Sequence, residues 1–190
     1  MKYFKVLIAL IFLSAFKCQS RTEEPTDVLS LEDDQKTERF RSSAISRFAY
    51  EGIAVNDIKL NDSLRLSQLV EGGVLVIRFS ELNCLDCVES MSFHLEKNFS
   101  EKVQKVVILG SFSSERKLDV YLRSLNIGYF STYNIPEGSL NEFVDRQNVP
   151  YTFMLSNDMR VDNLFVPDYQ LPKLTSDYFE VMSERLKITD

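Results

Sequence analysis

Cys84 and Cys87 are the residues whose type and spacing can do chemistry. They close the run Val74–Cys87, VLVIRFSELNCLDC, in which an apolar strand leads straight into a Cys-x-x-C pair. Cysteines at this spacing can close a disulfide across a strand-to-helix turn if the first sits in the helix's opening turn. There the free backbone N–H groups and the helix dipole stabilise a thiolate, the reactive form of the side chain. The expected chemistry is reversible oxidation of a dithiol, and the same pair in a strand–helix–strand pattern strengthens that reading.

The remaining cysteine and the single histidine narrow the choice. Cys18 lies far upstream, so Cys84 and Cys87 are the downstream cysteines. A four-residue disulfide loop removes little chain entropy, so a purely stabilising staple is disfavoured. Zinc needs about four ligands, and His94 is the only histidine that could join the pair. His94 follows Cys87 by two helical turns, about 10 Å, too far for proton exchange with the sulfurs, and is expected to be structural.

The chain has 190 residues, a net charge of −6, 14 Phe and 8 Tyr. That supplies one domain with an ample aromatic core, and only 6 Gly and 5 Pro argue against repeats. The acidic balance leaves no electrostatic footprint for nucleic acid or an anionic membrane surface.

Three segments are expected. Residues 1–17 read as an export signal: Lys2 and Lys5 precede an apolar run from Val6 to Leu13, too short for a stable membrane-spanning helix. Leu13-Ser-Ala-Phe-Lys-Cys18 resembles a bacterial lipoprotein signal, which would make Cys18 the lipidated first residue, although Lys17 stands where a small residue is usual. Ordinary cleavage near Ser20 is the competing outcome. Both routes place the mature domain outside the cytoplasm, periplasmic or membrane-anchored through a lipid. Residues 18–49 form an acidic, polar tether, with a helical pattern at Phe40, Ala44, Ile45 and Phe48. The domain proper covers residues 50–190.

Within it, Gly52–Val55 and Ile58–Leu60 read as short strands and Val74–Ser80 as a buried one. Leu85, Val88, Met91 and Leu95 mark one helix face to about Asn98. Val103–Leu109 is a second buried strand, and Ser114–Leu125 a helix capped by Ser113 or Ser114. Gly128–Tyr133 is extended and Ser139–Arg146 a short helix. Tyr151–Leu155 and Val161–Val166, split by Ser-Asn-Asp, form a hairpin, and Ser176–Lys187 is a terminal helix. Strand–helix–strand units followed by a hairpin predict an α/β fold with a central mixed sheet and helices on both faces. Tyr129, Phe130 and Tyr133 are expected to pack in the core.

With these elements placed, the chain resembles the thioredoxin-like fold, in particular its extracytoplasmic TlpA-like thiol–disulfide oxidoreductase branch, over about Gly52 to Leu186. Three segments carry the likeness: Leu66-Ser-Gln-Leu69 before the Gly-Gly-Val-Leu-Val-Ile-Arg-Phe strand, Cys84-Leu-Asp-Cys87, and Val149-Pro150-Tyr-Thr-Phe-Met-Leu155. The resemblance implies that Cys84 attacks a substrate disulfide and that Cys87 resolves the mixed disulfide. It implies a cis Val149–Pro150 bond, an isomer that costs little only before proline, with the Val149 backbone pairing to an extended substrate. A protein disulfide or dithiol and a redox partner protein are the implied partners; no cofactor is implied.

The departures from that pattern matter. Asn83 stands in place of the usual tryptophan, and Arg78 where a buried acid serves as proton acceptor. Arginine stays protonated and cannot take that role. It either stabilises a thiolate or, as the favoured expectation, snorkels to the surface from an edge of the strand. Asp86 disfavours a thiolate at Cys84, so a reducing couple is expected. No histidine follows residue 94, against copper delivery, and Glu81-Leu-Asn-Cys84 lacks the Thr/Ser-x-x-Cys of peroxidase relatives. The competing class is a binding or scaffold lipoprotein of the same fold whose pair has drifted from catalysis.

Overall fold

The structure, a computed structural model, describes residues 52–140 and 149–188. The expected export signal, the tether with its helical pattern, and most of the helix expected at Ser139–Arg146 lie outside the described residues. Among the described residues, no helix is long and apolar enough to cross a membrane.

Five strands form one sheet: β1 (Val74–Ser80), β2 (Val106–Ser111), β3 (Ser131–Asn134), β4 (Tyr151–Leu155) and β5 (Val161–Phe165), in the order β3-β2-β1-β4-β5. β1, β2 and β3 run parallel, while β4 pairs antiparallel with β1 and β5 with β4, so the sheet is mixed as expected. β1 occupies the centre because six of its seven residues are buried, the signature of a strand covered on both faces. Its entry is a sharp turn: Gly72 and Gly73 both hold positive φ, and the Gly73 N–H donates to the Val70 carbonyl at 2.8 Å.

Three α-helices pack on one face: α1 (Leu85–Phe99), α2 (Glu115–Ser124) and α3 (Pro172–Ile188). Leu75, Ile77 and Phe79 of β1 meet Val88, Met91 and Leu95 of α1, Leu118 and Leu122 of α2, and Phe179 and Met182 of α3 in one cluster. α2 comes close because Gly110 has no side chain: a Cβ there would lie 2.6 Å from a Leu118 methyl carbon. Ser114 caps α2, accepting from the Lys117 N–H, as the sequence predicts. α3 begins four residues earlier than expected because Pro172 fits the first helical position, where no N–H is needed.

The other face carries a second cluster built on Val74, Val76, Val107, Leu109, Tyr151 and Phe153. Among the described residues it is covered by a 3-10 helix at Leu66–Leu69 and by irregular chain contributing Val55, Ile135 and Leu140. The strands expected at Gly52–Val55 and Ile58–Leu60 reduce to isolated bridges, Ala54 with Arg160 and Lys59 with Arg65. The first runs beside the edge strand β5, with the Gly52 N–H donating to the Val161 carbonyl at 2.7 Å and the Val161 N–H to the Ile53 carbonyl at 2.8 Å, but each segment pairs over too few residues to make a strand. Val103–Lys105 is a 3-10 turn, so β2 starts at Val106. Of the aromatic group expected in the core, Phe130 is buried, Tyr133 packs partly, and Tyr129 is 45% exposed.

Candidate functional site

The site lies where β1 ends and α1 begins. Ser80 closes the strand, and the chain turns through Glu81 and Leu82 to Asn83. The Asn83 N–H donates to the Ser80 carbonyl at 3.2 Å, and the Asn83 side-chain oxygen accepts the Ser80 N–H at 2.7 Å. The residue in place of tryptophan thus builds the turn that delivers Cys84. Glu81 fixes the same turn sideways: its carboxylate accepts from Ser113 Oγ at 3.3 Å and lies 3.5 Å from Lys117 Nζ. A backbone hydrogen bond from Ser113, above all, holds its carboxyl below the usual range.

Cys84 is the N-cap of α1, with an extended ψ of 119°, and its carbonyl accepts the Val88 N–H. Its thiol is exposed, and Cys87, one turn into the helix, is half-buried; both thiols are free. Burial chiefly, and then a hydrogen bond with Cys84, push the Cys87 thiol up to about 11. Repulsion from Cys84 and Asp168 acts the same way, while the Tyr169 backbone N–H, hydrogen-bonded to the Cys87 sulfur, opposes it. The pair is therefore asymmetric: an outer sulfur at a helix N-terminus and an inner one that keeps its proton.

Leu82 (79% exposed) and Leu85 (51% exposed) flank Cys84 on the open side. Beside them lies an open depression of about 430 Å³ lined by Glu81, Phe112, Lys117, Val120 and Tyr121 among others. Phe112 and Tyr121 line it and pack against the buried Phe79, with ring centroids 5.3–6.0 Å apart. The loop carrying Phe112 is pinned by Asn134, whose side chain accepts the Phe112 N–H and donates to its carbonyl. Burial, and next the charges of Glu89 and Cys84, raise the Tyr121 pKa, so its phenol keeps its proton on the Cys84 side.

On the opposite side, Val149, Tyr151, Asn83, Glu137 and Arg78 line a narrow crevice with room for about one water. Val149 is 37% exposed and Pro150 is buried. The structure thus brings Val149 beside Asn83, next to Cys84. The expected cis Val149–Pro150 bond is corrected: no cis peptide bond occurs among the described residues. The trans isomer is favoured by about 0.5–1 kcal/mol before proline, and the chain enters β4 in that form.

Arg78 is also corrected. β1 is central and covered on both faces, and Arg78 is only 3% exposed, so its side chain does not reach the surface. It points to the sheet face away from α1, donating to the Leu109 carbonyl at 3.2 Å and the Phe79 carbonyl at 3.4 Å. His94 is structural as expected, buried between Phe93 and Phe179. Sequence reasoning missed Asp168 and Tyr169, which lie 81 and 82 positions beyond Cys87 in a loop between β5 and α3. Their only local signal is Pro167-Asp168, a turn former.

No protein-family model matches the chain, and no curated protein matches it. Solved structures do resemble it. One from Chlorobium tepidum, assigned as a thiol:disulfide interchange protein DsbE, aligns with a TM-score of 0.52 at 15% identity, covering 73% of this chain and 96% of that one. A thiol:disulfide interchange protein from a Bacteroides species gives 0.49 at 13% identity over 68% and 88%. The thioredoxin domain of a Bacteroides vulgatus thiol-disulfide oxidoreductase gives 0.48 at 13% over 74% and 95%. The first of these establishes that the chain has the thioredoxin-like fold, with thiol:disulfide interchange proteins among its structural neighbours.

Proposed function

We propose that this chain of thioredoxin-like fold is an exported thiol–disulfide oxidoreductase, working as a reductant of protein disulfides. The observation that carries the reading is the asymmetry of the pair: an exposed Cys84 at the α1 N-terminus beside a half-buried, proton-retaining Cys87. Cys84 attacks the substrate disulfide, one substrate sulfur leaves as a thiol, and Cys87 then displaces the other. The pair ends oxidised and the substrate reduced, and a redox partner protein restores the dithiol.

Substrate binding follows from what borders Cys84. Val149 is exposed to one side, where its backbone would pair with an extended segment, and Leu82, Leu85 and the Phe112–Tyr121 depression accept apolar side chains. Export through residues 1–17 and a lipid anchor at Cys18 complete the reading, and they rest on the sequence.

Redox titration of the protein in glutathione buffers tests the activity. A reversible two-electron couple at about −200 mV or below is expected. A disulfide that never opens, or no reversible couple, overturns the reading in favour of a binding module.

A further inference from the structure

An edge strand with nothing beside it presents a row of unpaired backbone groups to its surroundings. The two edges of this sheet differ. β5 is flanked by incoming chain, with the Gly52 N–H donating to the Val161 carbonyl and the Val161 N–H to the Ile53 carbonyl. β3, at the other edge, pairs with β2 alone. The Ile135 N–H donates to the Gly110 carbonyl at 2.8 Å, which sets the alternation of the parallel ladder. Ser131, Tyr133 and Ile135 turn their N–H and C=O groups towards β2. Those of Thr132 and Asn134 turn outward, where no described residue bonds them.

That open edge lies in a groove of about 340 Å³. One wall is α2, which turns Glu115, Asp119 and Leu122 to the groove, residues spaced along one helix face. The opposite wall is the strap at Leu60 and Asn61, shaped by two N–H groups that both donate to the Leu64 carbonyl, at 2.8 and 3.3 Å. Thr132 and Tyr133 lie between the walls. Two carboxylates and no cation line the groove. Asp119 lies 3.1 Å from Arg123 Nε in an exposed pair, which offsets its charge only weakly, and Glu115 has no cationic partner among the described residues. The recess also selects the shape of its occupant. A second copy of this chain carries its own β3 behind the same walls, so two such edges cannot meet, whereas a single extended segment fits between them.

We propose that the β3 edge is a docking site for an extended segment of a partner protein, one that alternates apolar and basic side chains. The segment joins the five-stranded sheet as a further strand, its backbone pairing with the outward N–H and C=O groups of Thr132 and Asn134. Successive side chains of a strand point to opposite faces, and here the two walls differ in character. Side chains turned to α2 meet Glu115 and Asp119, which favour lysine or arginine, with Leu122 beside their aliphatic stems. Side chains turned to the strap meet Leu60 and Tyr133, which favour apolar residues. The sulfurs take no part, so this site stands apart from the exchange reading.

The test titrates the full chain into a dye-labelled nonapeptide of alternating valine and lysine, read by fluorescence anisotropy. Saturable binding that weakens with added salt is expected. Two N-methylated probes, one methylated at the valines and one at the lysines, report the backbone. An added strand uses the N–H groups of alternate residues only, so one probe should lose about tenfold or more in affinity and the other stay within about threefold. Thr132→Pro removes one outward N–H and spares the ladder with β2, a place where an edge strand tolerates proline. That variant, and separately the double variant Glu115→Gln, Asp119→Asn, should each weaken binding about fivefold or more. No saturable binding, equal effects of the two methylated probes, or wild-type affinity in either variant overturns the proposal.

Discussion

The Asn83 side chain accepts the Ser80 N–H at 2.7 Å, so the residue just before Cys84 closes the turn that presents it. Removing that acceptor frees the 80–83 turn while leaving the sulfurs themselves untouched. Asn83→Ala is expected to cost about 1 kcal/mol of stability, the usual worth of a partly buried hydrogen bond. It should also slow attack by Cys84 severalfold, whereas Asn83→Asp, which keeps the acceptor, restores most of the rate. Denaturant unfolding and single-turnover reaction with a small disulfide check both halves. Equal rates for the Ala variant and the wild type would mean the turn is held by Glu81 and its partners alone.

Much of this site was legible in the sequence, and what was not shares one cause. The placement of Cys84 and Cys87 at the start of α1 was legible because it depends on a spacing of three and on the apolar strand immediately before them. α1 and β1 follow from local periodicity, and they alone set the geometry of the pair. Arg78 was misplaced because its environment depends on strand order. A strand's position in the sheet is fixed by β2 and β4 pairing on either side, which local pattern does not encode. Asp168 and Tyr169 were invisible for the same reason: they reach Cys87 through tertiary packing of the segment after β5. The short strands at Gly52–Val55 and Ile58–Leu60 failed because apolar alternation over three or four residues fits an irregular strap over a sheet equally well.

The Cys87 thiol also ties stability to alkaline pH. Its folded pKa is raised from 9.0 to about 11, so the folded reduced protein holds a proton that the unfolded chain releases first. The contribution is fully present below pH 9 and is lost as pH rises through about 11. The reduced wild type should therefore lose stability across that window, and Cys87→Ser should lose less. Thermal melts of both proteins under reducing conditions, at several pH values, read the difference. Parallel alkaline slopes would show that the thiol is no harder to ionise folded than unfolded.

Thr152 offers a stability gain away from the sulfurs. It is fully buried on β4, and its hydroxyl finds no hydrogen-bond partner. Valine has nearly the same shape and no polar atom to desolvate. Thr152→Val should raise stability by about 1 kcal/mol, the lower end of the cost of an unsatisfied buried group. The denaturant midpoint should rise with an unchanged slope. A lower midpoint would mean that the hydroxyl is satisfied by a water in the fold.

His94 sets the acid side. It is 7% exposed, ringed by Phe93 and Phe179, and its Nδ1 has no partner. Burial chiefly, with the Lys97 charge second, lowers its pKa below 6.5. The neutral ring therefore stabilises the fold above the unfolded value, and that stability drains away as pH falls through the lowered folded value. The carboxyls of Asp57, Glu81 and Asp158, also lowered, act in a more acidic window because their ordinary values lie near 4. His94→Leu keeps the apolar contacts with Phe179 and removes the titration. It should flatten the loss of stability between the histidine and carboxylate ranges and leave the steeper loss below it. Urea unfolding across mildly acid pH separates the two, and an unchanged slope in the Leu variant would show that His94 accepts its proton without disturbing the core.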